Sequence, residues 1–140
     1  MPAYEKPLPD PTFDTKPYWD AAKKHELHMQ KCDKCGRLRF PPRPVCAHCQ
    51  SMQATWVKLS GRGTVFSYSV ISHAVGKGFQ ADVPYINILV EPVEQKGVRI
   101  PSNLVGCKPE DVKINMAVEA VFDDVTPEVT LPKFKPAGGK

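Results

Sequence analysis

Long apolar runs are missing from this chain. No stretch approaches the ~20 residues a membrane-crossing helix needs, and the opening MPAYEKPLPDPTF has no apolar core of the signal-peptide kind. The expectation is a cytoplasmic protein without a membrane partner. Catalytic signatures are missing too: there is no G-x-S-x-G elbow, P-loop, G-x-G-x-x-G fingerprint or H-E-x-x-H pair. Adjacent carboxylates occur as Glu110-Asp111, which suit the start of a helical turn, and as Asp123-Asp124 in a turn. Nothing assembles a nucleophile, a base and an oxyanion hole, so the chain is not expected to be an enzyme on its own. A strong charge of one sign is also lacking. Lys and Arg number 19 against 15 Asp and Glu, and the resulting +4 is modest for a nucleic-acid binder.

The charge is uneven. Residues 1–62 hold eleven Lys/Arg and six Asp/Glu, whereas residues 63–140 hold eight and nine. Proline is plentiful, at 15 residues in 140, about twice the usual share, while glycine and apolar content are ordinary. That composition excludes collagen-like repeats and wholesale disorder. A chain of this length fits one ordinary domain, or two small modules sharing a core.

Four zones can be read. Residues 1–25 are an arm and a helix. Pro2, Pro7, Pro9 and Pro11 favour an extended arm. Residues 14–25 then suit a short helix, with Asp14 or Thr15 as cap, Pro17 in the first turn, and Tyr18, Trp19 and Ala22 as its apolar side. A helix of about three turns must dock to persist, either on its own domain or on a second protein, with Tyr18 and Trp19 as candidate anchors. Residues 26–52 carry the paired cysteines. Residues 53–136 read as an all-β module: Thr55–Leu59, Thr64–Ile71, Tyr85–Val90, Val98–Ile100, Met116–Phe122 and Val129–Phe134, with one helical turn near Pro109–Val112. Phe66, Tyr68 and Val70 share one face of the second strand. Five or so short strands without a βαβ rhythm suggest a small barrel, and an OB-fold fits the count. Residues 137–140 are a tail expected to fray.

Cys32-Asp33-Lys34-Cys35 and Cys46-Ala47-His48-Cys49 are two C-x₂-C knuckles ten residues apart. Two residues between cysteines let a tight turn aim both sulfurs at one point, and two knuckles complete a tetrahedral S₄ shell. Gly36, directly after the first knuckle, suits the positive φ such a turn needs. Disulfides fit poorly with a reduced cytosol, and a redox C-x₂-C belongs beside a βαβ unit. Iron of the rubredoxin type shares the geometry, so spacing alone does not separate it from zinc. One structural Zn²⁺ held by Cys32, Cys35, Cys46 and Cys49 is the expected cofactor, with His48 as an alternative ligand. Four thiolates with one Zn²⁺ carry a net −2, which brings the loaded chain nearer to +2 than the formal +4. The fifth cysteine, Cys107, reads as a small apolar residue. His25, His28 and His73 stand isolated.

Several phrases carry a family resemblance. They are Pro17-Tyr18-Trp19-Asp20-Ala21, Glu26 to Gly36 (ELHMQKCDKCG), Phe40-Pro41-Pro42-Arg43-Pro44, Gly61 to Tyr68 (GRGTVFSY), Asp82-Val83-Pro84-Tyr85, Ser102 to Gly106 (SNLVG) and Leu131-Pro132-Lys133-Phe134. In this order, over about residues 15–136, the chain resembles the DUF35 family of acyl-CoA-associated zinc-ribbon/OB-fold proteins. It departs at Asn115, where the pattern often has glycine, and at Pro101, which suggests a strand edge. The resemblance implies a mainly β fold: an N-terminal helical segment, a rubredoxin-like zinc ribbon and a C-terminal OB-fold barrel. It also implies a setting, in which a thiolase-superfamily enzyme or an acyl-CoA hydratase supplies the catalytic residues and this chain shapes the acyl-CoA entrance.

Three functions then compete. The first is a noncatalytic accessory subunit of a thiolase-type or aldolase complex acting on acyl-CoA thioesters, in aromatic or steroid degradation, with a CoA thioester bound at the partner interface. The second is a nucleic-acid-binding module, disfavoured because the barrel half is not basic and Tyr85–Val90 contains no Lys or Arg. The third is a free acyl-CoA binder, for which Lys23, Lys24, Arg37, Arg39 and Arg43 are candidate contacts to CoA phosphates.

Overall fold

The computed structural model describes residues 4–139. Pro2 of the arm and Lys140 of the tail lie outside them. Helix α1 spans Lys16–Lys23 and carries Pro17 in its first turn, where the missing N–H costs nothing. Thr15 occupies the cap position, but its hydroxyl accepts from the Thr12 backbone at 2.8 Å and does not cap the helix. The helix docks on its own chain: Tyr18, Ala21 and Ala22 are buried, and Tyr18 meets Trp19 and Phe40 edge-on at 5.0 and 5.4 Å.

Strands β1 (His28–Cys32), β2 (Leu38–Arg39) and β3 (Ala54–Lys58) form a three-stranded sheet in the order β2-β1-β3. This corrects one expectation. The Thr55–Leu59 segment, read above as the first strand of the barrel module, pairs instead with β1, Gln30 opposite Trp56 and Cys32 opposite Ala54. Alternation in a five-residue strand reveals a face, not a partner.

The barrel closes from β4 (Arg62–Ile71), β5 (Tyr85–Pro92), β6 (Ile100–Leu104), β7 (Ala117–Asp124) and β8 (Thr130–Pro136) in the order β4-β5-β6-β8-β7. All neighbours are antiparallel except β6 and β8, which are parallel where Leu104 meets Phe134. This five-stranded closed barrel has the OB architecture. A 3₁₀ turn over Pro109–Asp111 precedes β7, and Asn115 takes the positive φ (69°) that its glycine-like position demands. In the tail, Gly138 takes a left-handed φ of 80°. Strand β6 runs through Pro101, beyond the Val98–Ile100 segment first assigned to it. Pro101 stands opposite Leu89 of β5, and β6 gains its second neighbour only at Leu104.

Val65, Ile86, Val90, Ile100, Val118 and Phe134 fill the barrel. The same apolar cluster continues through Leu59, Leu27 and Met29 to Tyr18, so ribbon, helix and barrel share one core. Gln95, in the β5–β6 connection, reinforces this seam. Its amide accepts from the Leu38 N–H at 2.8 Å and donates to the Leu38 carbonyl at 3.0 Å. Gln95→Ala removes both bonds, and a stability loss of about 1–2 kcal/mol is expected in chemical denaturation.

Candidate metal centre

The two knuckles repeat one backbone pattern. The Gly36 N–H bonds the Cys32 carbonyl at 2.9 Å, and the Gln50 N–H bonds the Cys46 carbonyl at 2.9 Å. Each first cysteine donates its own N–H five residues onward, Cys32 to Arg37 and Cys46 to Ser51. Gly36 and Gln50 hold the matching left-handed position, with φ of 77° and 62°. Glycine takes that conformation freely, whereas Gln50 adopts it under the constraint of the knuckle. Thr55 Oγ1 donates to Asp33 at 2.7 Å and ties the first knuckle to β3.

This geometry brings all four sulfurs together. Cys32 and Cys49 Sγ lie 3.5 Å apart, Cys35 and Cys46 Sγ 3.7 Å, and all four fall within 4.8 Å of one another. A tetrahedral shell with Zn–S bonds of about 2.3 Å requires S···S separations of about 3.8 Å. The Cys35 N–H points at Cys32 Sγ from 3.5 Å. This and further backbone N–H groups push the Cys32 thiol down to about 6, and the Cys49 and His48 N–H groups lower Cys46. Arg37's N–H also favours the Cys35 thiolate, but desolvation and the neighbouring sulfurs outweigh it and push Cys35 up to about 11. Four thiolates this close repel one another, and a divalent cation at their centre removes the conflict. The donor set, its spacing and its full complement fit a structural zinc with no open coordination position. His48 is exposed and outside the sulfur cluster.

The other singled-out residues separate. Tyr18 is 7% exposed and belongs to the core, so its ring is an internal anchor, and of the two helix aromatics only Trp19 keeps open surface. The five basic candidates do not converge. Arg37, Arg39 and Arg43 line one cleft, whereas Lys23 and Lys24 are exposed at the far end of α1 and do not line it. Arg39 is a buried strut, 8% exposed. Its Nε donates to Gln30 Oε1 at 2.9 Å and its Nη2 to the Arg43 carbonyl at 2.8 Å. Cys107 is half-buried, and burial followed by the charges of Asp111 and Glu110 raises its thiol, the opposite of an activated nucleophile. His25 stacks on Phe122 and meets the Asp124 carboxylate at 3.0 Å, and His28 meets Glu26 at 2.9 Å. Sequence reasoning left two features undetected. Phe66, Tyr68 and Val70 are 42, 40 and 39% exposed, and a register shift between Val65 and Ser67 sets Tyr68 and Val70 opposite the buried Ile88 and Ile86. Lys96 and Arg99 join Arg37, Arg39 and Arg43 across the ribbon–barrel seam. The period-two pattern held the first signal without its sign, and the second depends on a contact some sixty residues apart in sequence.

A four-sulfur ribbon sharing its core with a five-stranded barrel defines a zinc-ribbon/OB-fold protein. Residues 19–52 match the family model for the rubredoxin-like zinc ribbon domain of ChsH2, and residues 56–123 match its C-terminal OB-fold domain. The chain belongs to the DUF35 family. It is 36% identical over 106 residues, 75% of this chain and 77% of the relative, to a DUF35 domain-containing scaffold protein of Methanothermobacter thermautotrophicus. It is 39% identical over 132 residues to a probable enoyl-CoA hydratase alpha subunit of Thermomonospora curvata, covering 94% of this chain but 40% of that relative. The chain thus spans less than half of that subunit. A solved structure of an Ltp2-ChsH2(DUF35) aldolase superimposes with a TM-score of 0.83 at 40% identity, over 92% of this chain and 98% of that one. Among the described residues no helix is long and apolar enough to cross a membrane.

Proposed function

We propose that this chain is a noncatalytic accessory subunit of an enzyme acting on acyl-CoA thioesters. It stabilises the complex and shapes the entrance for the CoA substrate. The observation that carries this reading is the end-to-end likeness to the DUF35 chain of the Ltp2-ChsH2 aldolase, at 98% coverage of that chain. The hydratase alpha subunit, similar over nearly the whole of this chain, points to the same substrate class. The partner is a thiolase-superfamily enzyme, used as a thiolase or an aldolase in aromatic or steroid degradation. It supplies the reacting residues, and the assembly works in the cytoplasm. Exposed Phe66, Tyr68 and Val70 on β4 offer the partner apolar and aromatic contacts of the kind that dominate interface energetics. Trp19 is a second candidate anchor.

Affinity capture on the zinc-loaded full chain in extract of its source cells should recover a subunit with acyl-CoA chemistry, identified by mass spectrometry. Turnover should require both proteins. Tyr68→Glu should cut recovery at least tenfold, since it places a charge in a desolvated contact, while leaving the melting temperature within a few degrees. Turnover of an acyl-CoA by the lone chain would overturn the reading. So would recovery of single-stranded nucleic acid in place of an enzyme, because exposed Phe66 and Tyr68 on an OB barrel also have the form of a stacking platform.

A further inference from the structure

A cleft of about 280 Å³ lies at the seam between ribbon and barrel. Its wall comes from three separate stretches of chain: the β2 hairpin (Arg37, Arg39, Arg43), the second knuckle (His48) and the β5–β6 connection (Lys96, Arg99). No Asp or Glu lines it, and Cys46 of the metal centre does. Among the described residues, ion pairs engage Lys6, Lys16, Lys58, Lys133 and Lys135, and none engages Arg37, Arg39, Arg43, Lys96 or Arg99. Arg39 is buried while the other four cations are exposed, so solvent and the neighbouring S₄ centre, reached through Cys46, offset part of their repulsion, and an anion held between them would lower it further.

Arg39 sharpens the case. Gln30 and the Arg43 carbonyl hold its Nε and Nη2 in place, yet its Nη1 has no acceptor at all, the only such buried side-chain nitrogen or oxygen among the described residues. A buried guanidinium nitrogen left unpaired is costly. Arg99 is oriented as well, its guanidinium carbon 3.8 Å from the centre of the Phe66 ring. Planar forks fixed in advance suit a multivalent oxyanion better than a lone carboxylate, because several donors can each find an oxygen. We propose that this cleft is a phosphate-binding site, with Arg37, Arg39, Lys96 and Arg99 as its cationic wall. It deepens the proposed function in one respect: the identification of the phosphate bearer as the CoA moiety rests on that reading, while the site itself does not. Lys23 and Lys24 take no part.

The test is titration of the zinc-loaded full chain, followed through amide resonances of Leu38 and Gly97. The probes are inorganic phosphate, CoA and dephospho-CoA, with sodium chloride at matched ionic strength as reference. Saturable shifts with phosphate are expected, together with tighter binding of CoA than of dephospho-CoA. Arg37→Ala/Lys96→Ala, two exposed positions outside the core, should weaken binding at least tenfold, whereas Lys23→Ala/Lys24→Ala should leave it within twofold. Saturation by phosphate without preference for CoA would uphold the site and remove the CoA assignment. Shifts no larger than those from chloride, or equal binding by the Arg37/Lys96 double variant, would overturn the site, whatever the fate of the accessory-subunit reading.

Discussion

Cys32→Ser is expected to abolish stoichiometric zinc and to unfold residues 32–52 while much of the barrel persists. Between Cys32 and Cys49 the buried residues are Cys32, Arg39 and Cys46. Beyond the cysteines only Leu38 and Phe40 of that stretch pack against the shared core, both half-buried, and its folding free energy is largely the metal's, on the order of 10 kcal/mol for zinc fingers. A serine oxygen is a poor substitute for thiolate in an S₄ shell. Elemental analysis should find about one zinc per wild-type chain and far less in the variant. Amide spectra should lose dispersion in the ribbon and keep it in β5 and β8. Cys107→Ser is the matched control. Its sulfur's hydrogen bond is to the Lys108 carbonyl at 3.4 Å and its side chain packs half-buried against the barrel core, away from the S₄ cluster, so zinc content should hold and the melting temperature should fall by a few degrees at most. A metal-free wild-type protein with an ordered ribbon would refute the assignment.

Gly63→Ala should be the most damaging single methyl group in the barrel. Gly63 lies in β4 between Pro92 of β5 and Val118 of β7. A Cβ there would sit 2.6 Å from the Glu91 carbonyl oxygen and 2.7 Å from Val90 Cγ1. The first is backbone and cannot swing aside, so the strands must part. Overpacking of this kind costs about 3 kcal/mol, a fall in melting temperature of roughly 10 °C for a domain of this size. Gly97→Ala makes the contrast. Its φ is +88° but nothing lies within 4 Å of the added carbon, leaving a left-handed penalty of about 1–2 kcal/mol. If the two variants melt together, the close approach at Gly63 is not what closes the barrel.

These contrasts explain what the sequence disclosed. Metal ligands at C-x₂-C spacing are legible because a knuckle is local: three peptide units set the sulfurs, whatever the rest of the chain does. The strands from Tyr85 and Met116 were legible because one face of each is buried and period two follows. The exposure of Phe66, Tyr68 and Val70 was not, since β4 shifts register after Val65 and bulges leave no reliable mark in composition. The role of Arg39 was hidden for another reason. A basic residue in a ribbon reads as solvent-exposed, and only the hairpin register, which sets Gln30 opposite Arg39, provides the acceptor that lets it be buried. Likewise Tyr18 reads as an anchor, but for its own chain. Nothing in its heptapeptide neighbourhood says that Phe40 will be the partner.

The Gln95 amide has a meaning beyond the bonds it adds. In the order β2-β1-β3 the strand β2 is an outer one, two residues long, and its free side would offer Leu38's N–H and carbonyl to any passing extended peptide. Gln95 occupies both groups with a side chain that mimics a peptide unit. The β2 side of the ribbon is thereby closed to strand addition, which leaves β3, paired only with β1, as the sheet's open edge among the described residues.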